Sequence, residues 1–375
     1  MSRARTYLDW NATAPLRREA RAAVIAALDV VGNASSPHAE GRRARGLIED
    51  ARERVAVLVN AKPAEVVFTS GGTEANNAAL AAKWEAILLS GIEHDSVLAP
   101  AKGSGARVVE LAVSKDGVVD TGSIARHLPD KGVRTLVALQ LANNETGAVQ
   151  PVADAVRLAR ERGVAVHTDA VQAAGRITID FRTLGVDYLT LSAHKLGGPK
   201  GVGALVIRDG VSLPALISGG GQERRRRAGT ENVAAIAGFG AAAQAVREDL
   251  AQMDRVRALR DRLETQVREI TPEAVVVAAD AERLPNTTSL ALPGSSAETL
   301  VIALDLKGIA VSAGAACSSG KVGASRVLAA MGLGPEVARS AIRISLGHAS
   351  TERDVAAFLD AWGRIAAGRR ERAVA

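Results

Sequence analysis

A chain of 375 residues exceeds what one hydrophobic core usually holds, so two domains are expected, and 47% hydrophobic with 23% charged residues is the balance of a soluble globular protein. Aromatic residues make up only 2% and the formal net charge is +6; an aromatic base-stacking surface is thereby disfavoured, and the charge is too small to establish nucleic-acid binding. The start has positive charge without an apolar segment behind it, and the apolar stretch at 234–246 is short and interrupted, which points to a cytoplasmic protein with no membrane span.

Apolar periodicity predicts helices over 16–28 and 42–59. A β-branched run at 66–70 then meets Gly71-Gly72-Thr73 and an alanine-rich segment at 74–85, the pattern of strand, glycine turn and helix. Further strands are expected at 86–89, 107–111, 135–141, 164–168, 188–192 and 203–207, with a helix over 152–161 among them. Such alternation implies an α/β fold whose mostly parallel sheet is covered on both faces. A long charged helix over roughly 242–268 leads to short strands at 275–277, 288–292 and 342–346, read as a smaller C-terminal domain. The expected division is 12–250 for the large domain and 251–375, with 1–11, for the small one.

Ligands bind at the carboxyl ends of strands in sheets of this kind, and polar clusters stand there at 69–73, 140–146, 167–172 and 192–195. Lys195, in Ser192-Ala193-His194-Lys195 ahead of a glycine-rich turn, suits a Schiff base, since partial burial would free its amine to attack an aldehyde. A surface lysine followed by a turn has the same local pattern. Asp169 lies two residues beyond His167, on the same side of an extended segment. A carboxylate there would keep the pyridine nitrogen of pyridoxal phosphate protonated, while His167 with Asp169 offers a metal site as the competing reading. Gly72 and Thr73 open a helix and can cradle a phosphate with backbone N–H groups; no nucleotide P-loop is present. His94, after a strand, can lie flat against an aromatic cofactor or serve as a cap. Arg224–Arg227 form a glycine-flanked basic loop, either a solvated face, a polyanion patch or an anion site at a subunit interface.

Cys317 is the one cysteine of the chain, set among Gly314, Ser318, Ser319 and Gly320. A lone thiol makes no intrachain disulfide and no metal cluster by itself. Its surroundings argue for an exposed, mobile loop, which leaves a nucleophile, a transient ligand or a small buried residue.

Taken together, Thr69–Glu74, Asn143–Gly147, His167–Gln172, Ser192–Lys195, Arg227–Thr230 and Ala313–Cys317 resemble the cysteine desulfurases of the NifS/IscS-like group, in the class V aminotransferase branch of fold-type I pyridoxal phosphate enzymes. The resemblance runs from Tyr7 to Gly347. It implies that Lys195 forms the internal aldimine, Asp169 pairs with the pyridine nitrogen and His94 stacks on the ring. Asn144 and Gln172 would lie near the phenolic oxygen. Gly72, Thr73, Ser192 and His194 would hold the phosphate, with Thr230 reaching in from the other subunit of a homodimer. Arg343, helped by Asn33, would hold the carboxylate of L-cysteine, and Cys317 would take its sulfur as a persulfide, leaving L-alanine. Delivery to a sulfur acceptor or iron–sulfur scaffold follows from the resemblance, with no resident metal and at most a transient iron–sulfur contact at Cys317. Selenocysteine lyase, or another class V pyridoxal phosphate reaction, is the alternative. Ala34 stands where the family usually has proline, and Trp10 where it usually has asparagine.

Overall fold

The structure, a computed structural model, describes residues 5–314 and 324–374. After a short strand β1 (Thr6–Tyr7), helices α1 (Arg18–Leu28) and α2 (Ala39–Leu58) precede the central sheet. That sheet has seven strands: β2 (Val66–Thr69), β3 (Ala86–Ser90), β4 (Arg107–Leu111), β5 (Thr135–Ala138), β6 (Ala165–Asp169), β7 (Tyr188–Ser192) and β8 (Gly203–Ile207). Their spatial order is β2-β8-β7-β6-β5-β3-β4. All pairs are parallel except those of β8, which runs against both β7 and β2.

Both sheet faces are apolar because helices cover both. Alternate residues go to opposite cores: Val66, Phe68, Leu88, Val137, Leu189 and Leu191 to one, and Val67, Ile87, Leu89, Leu136 and Ala138 to the other. The predicted strand positions match within a few residues. The helix expected over 242–268 is instead two helices, Val233–Asp249 and Met253–Ile270, separated by the 3₁₀ turn Leu250–Gln252. Neither proline nor glycine marks the junction, so the sequence carries no helix-breaking signal there.

The C-terminal region has its own antiparallel sheet of β9 (Val275–Val277), β10 (Thr287–Ala291), β12 (Ser312–Ala313) and β13 (Ala341–Ser345), in the order β12-β13-β10-β9. It encloses a separate core built on Leu263, Leu290, Ile342, Ile344, Phe358 and Trp362. This is the smaller α+β domain. β1 pairs in parallel with β11 (Ile309–Ala310), and Asp9 bridges to Ser345, so the start of the chain is bound to its last quarter.

Candidate active site

Every strand of the central sheet but β8 runs the same way, which brings the segments after β2, β3, β5, β6 and β7 to one edge. A cavity of about 230 Å³ opens there, lined by Gly72, Thr73, Asn76, His94, Ser96, Gln140, Asn144, Asp169, Gln172, Ser192, His194 and Lys195 among others. The strand-end rule therefore gathers side chains that lie more than 120 residues apart in sequence.

One end of the cavity is a helix start. α3 (Gly72–Leu80) has no side-chain cap on its first turn, so its leading N–H groups are open to an anion, with the helix dipole behind them. A side chain on Gly72 would bring its Cβ to 3.0 Å from Val171 Cγ2 and 3.4 Å from Ser192 Cβ. Behind the same turn, a Cβ on Gly203 would fall 2.6 Å from the Gly71 carbonyl carbon and 2.7 Å from the Leu191 oxygen. Only glycine lets β8 pass so close.

Asp169 ends β6 and is buried. Its Oδ1 accepts from the Val171 N–H at 2.9 Å and its Oδ2 from Asn76 Nδ2 at 2.8 Å. The same Asn76 amide donates to Ser96 Oγ at 2.9 Å, and Ser96 Oγ lies 2.7 Å from His94 Nδ1. With both Asn76 protons given away, the Ser96 hydroxyl donates to His94, whose Nδ1 also accepts the Ser96 N–H at 3.1 Å as the N-cap of α4 (Asp95–Gly103). Nδ1 is thereby an acceptor, and the ring proton belongs on Nε2. The relay links the carboxylate to the histidine.

Lys195 closes the short 3₁₀ turn after β7. Its ammonium donates to the carbonyl of Asn11 and, at 3.0 Å, to that of Ala12. His194 beside it packs its Nδ1 3.2 Å from Thr13 Oγ1. Burial, followed by the charges of Lys195, Lys200 and Arg176, pushes the His194 pKa down to about 4, so the imidazole is neutral near pH 7 and adds no second cation to the pocket. His167 is fully buried behind Asp169, its Nε2 3.0 Å from Thr190 Oγ1, and burial lowers its pKa to about 4. It does not line the cavity. Among the described residues no group of three or more His, Asp or Glu side chains could hold a metal ion.

The residues fit pyridoxal phosphate. An uncapped helix start suits a phosphate, a buried carboxylate suits a protonated pyridine nitrogen, and a lysine suits an aldehyde. A buried oxygen, Asn76 Oδ1, stands at the cavity without a hydrogen-bond partner, the mark of a site shaped for a polar occupant.

Other expected residues lie elsewhere. Asn33 is exposed, its Oδ1 accepting from the Ser35 N–H at 2.9 Å. Arg343 is buried outside the cavity lining, donating to Asp9 Oδ1 at 2.8 Å and to the Asn144 carbonyl at 3.0 Å; its Nε has no partner. Thr230 is exposed and does not line the cavity. Cys317 lies outside the described residues. The arginine run is partly spent internally: Arg227 pairs with Glu74 at 2.9 Å, and Arg224 and Arg226 both donate to the Ala64 carbonyl.

Sequence reasoning gave no role to Asn76, Ser96 or Gln140. Asn76 had a readable signal, since three residues beyond Thr73 it shares that residue's side of α3. Glu93, next to His94, is another. It is fully buried, accepting from Ser90 Oγ at 2.7 Å and from the Gln140 N–H at 2.9 Å. Burial pushes its carboxyl up to about 8. The folded chain then keeps a proton that the unfolded chain loses above pH 4.5, so this group makes stability fall as pH rises from there to about 8. Glu93→Gln is expected to flatten that fall, read as a Tm difference from wild type that grows between about pH 5 and about pH 9. An equal Tm offset at both ends would refute it.

The class V aminotransferase family, described as "Aminotransferase class-V", matches residues 6–358. The chain is 40% identical over 371 residues to "Cysteine desulfurase IscS" of Dictyoglomus turgidum, covering 96% of this chain and 94% of that one. The solved NifS-like protein of Rickettsia africae superposes with a TM-score of 0.90 at 35% identity, covering 96% and 99%. A structure described as "SspA in complex with cysteine" follows with a TM-score of 0.79 at 29% identity, covering 91% and 98%. The fold and these matches place the chain in the fold-type I pyridoxal phosphate family. The chain belongs to the NifS/IscS-like cysteine desulfurase group of the class V aminotransferase family.

Proposed function

We propose that this chain is a pyridoxal phosphate-dependent cysteine desulfurase that converts L-cysteine to L-alanine and passes the sulfur to Cys317. The observation that carries the reading is the single cavity gathering Lys195, Asp169, His94 and the open start of α3. Bound there, the cofactor supplies an electron sink for the substrate's Cα carbanion. The protein's residues do the rest. Asp169 fixes a proton on the ring nitrogen, while Gly72, Thr73, Ser192 and His194 hold the phosphate, joined by Thr230 across a homodimer. Asn144 and Gln172 would lie by the phenolic oxygen. His94, with its proton on Nε2 and its plane held by Ser96, stacks on the ring.

Lys195 would serve as attachment point and proton carrier, and the Asn11 and Ala12 carbonyls that accept its ammonium would hold it when it is not attached. Arg343 takes the substrate carboxylate. Its unpartnered Nε beside an Nη2 now on Asp9 is the side-on pair that a carboxylate binds. Asn33 assists once substrate is bound. In the transfer the substrate's Cβ–S bond breaks and a bond forms between that sulfur and Cys317 Sγ. One thiol proton goes to the alanine carbon, so cysteine plus enzyme thiol equals alanine plus enzyme persulfide with no outside oxidant.

The bound cysteine described for the related SspA structure supports the substrate class. The persulfide then goes to a sulfur acceptor or an iron–sulfur scaffold protein. We assign residues 12–250 to the cofactor domain and 251–375, with 1–11, to the domain carrying Cys317.

Alanine and sulfide production from L-cysteine by wild type and Cys317→Ser, with the visible spectrum recorded alongside, tests the reading. The variant is expected to stay yellow and to lose sulfur release to a reductant. Undiminished release would overturn the role of Cys317, and turnover of selenocysteine that survives the substitution would favour a selenocysteine lyase.

A further inference from the structure

Asn11 is fully buried where the amino-terminal segment passes between the two sheets. Its backbone carbonyl accepts both the Lys195 ammonium and, at 3.0 Å, the Gln172 side-chain amide. Its side chain turns the other way. Nδ2 donates to Thr287 Oγ1 at 2.9 Å and reaches the Asn144 carbonyl at 3.3 Å, and Oδ1 accepts from Asn286 Nδ2 at 3.0 Å. The backbone N–H completes the set by donating to Ser345 Oγ at 2.9 Å. Thr287 and Ser345 are strand residues of the small domain. One asparagine thus has every polar group committed, with its carbonyl on two cavity-lining side chains and its amide and N–H reaching the neighbouring sheet.

We propose that Asn11 is a positioning residue that transmits the placement of the small domain to Lys195. The direction of a backbone carbonyl is set by the peptide planes around it, and here those planes are pinned through the side chain and N–H to Asn286, Thr287 and Ser345. Shifting that sheet reorients the carbonyl that receives the ammonium. Carbonyl acceptors favour the protonated amine, so release of the contact is expected to free a nucleophile. Because the Asn144 carbonyl accepts from both this amide and Arg343, the arginine joins the same frame. The inference rests on Lys195 being the cofactor lysine.

The test reads the amine directly. Full-length protein freed of cofactor is treated with an amine-acylating reagent near neutral pH. The rate of modification at Lys195 is followed by peptide mass spectrometry against the exposed Lys62. Asn11→Ala is expected to speed Lys195 modification about tenfold, the scale of one hydrogen bond to a charged group. Thr287→Val, which keeps the shape and the backbone, is expected to do the same in part even where Asn11→Ala folds poorly. The Asn11→Ala/Asn286→Ala pair should be non-additive.

A merely structural asparagine would lower Tm and leave the Lys195 to Lys62 ratio unchanged in all three variants, and that result would overturn the proposal. The readout needs neither bound cofactor nor sulfur transfer, so an absent desulfurase activity in wild type would be a separate failure.

Discussion

Lys195→Ala is expected to give a folded protein that does not turn yellow with pyridoxal phosphate and does not release sulfur from cysteine. The loss of proton transfer alone is worth about 10²–10⁴-fold in turnover, and loss of the covalent attachment adds to it. The fold should survive. Its ammonium donates to two backbone carbonyls, and the one on Asn11 keeps its Gln172 donor. Turnover, the visible spectrum and Tm, measured together, check this. A small primary amine added to the variant should restore part of the turnover by supplying the missing base. A variant that stays yellow and turns over cysteine at the wild-type rate would remove Lys195 from the chemistry.

Glu223→Ala is expected to cost about 3 kcal/mol of stability, because it strips the buried Arg52 guanidinium of its two-pronged partner and leaves it only Glu49 and the Val66 carbonyl. Arg52 and Glu223 are 4% and 2% exposed, and they form a two-pronged pair at 2.7 and 2.8 Å. Glu223 also accepts the Phe68 N–H at 2.8 Å, and the Arg52 guanidinium lies 4.9 Å over the Phe68 ring. The carboxylate is delivered by a costly stretch of backbone. Glu223, Arg224 and Arg225 have φ of 46°, 57° and 64°, three successive side chains in the left-handed region, each adding strain that surrounding contacts must offset. Without the pair, the stretch should relax, freeing the Arg227–Glu74 contact and the segment that carries Thr230. Denaturant melts of Glu223→Ala, and of Arg52→Met/Glu223→Leu, read the effect. The apolar pair should recover most of the loss, whereas a single variant within about 1 kcal/mol of wild type would contradict the assignment.

The sheet and the centre of the pocket were legible because they depend on local rules. β-branched runs gave the strands, and the carboxyl-end rule placed Gly72, Asp169, Ser192 and Lys195 on one edge, where they lie. What stayed hidden depends on distant partners. Asn11 looks like any polar residue in a loop until Lys195, 184 positions away, meets its carbonyl. Arg343 reads as a waiting cation, yet it is held by Asp9. The arginine run reads as a solvated patch because nothing local announces that Glu74 and the Ala64 carbonyl engage it. The break at Leu250–Gln252 falls in a short uncharged stretch with no proline or glycine to announce it.

The pairing of β1 with β11, and of Asp9 with Ser345, has a consequence for biosynthesis. The central sheet is complete in sequence once residue 207 has emerged, but Asp9 and the Asn11 N–H, close to the lysine, find their partner Ser345 only more than 300 residues later. Closing so long a loop costs entropy that only the finished small domain returns. A growing chain on the ribosome therefore lacks these contacts until residue 345 has been made, and one of the first stretches to emerge is among the last to be fixed.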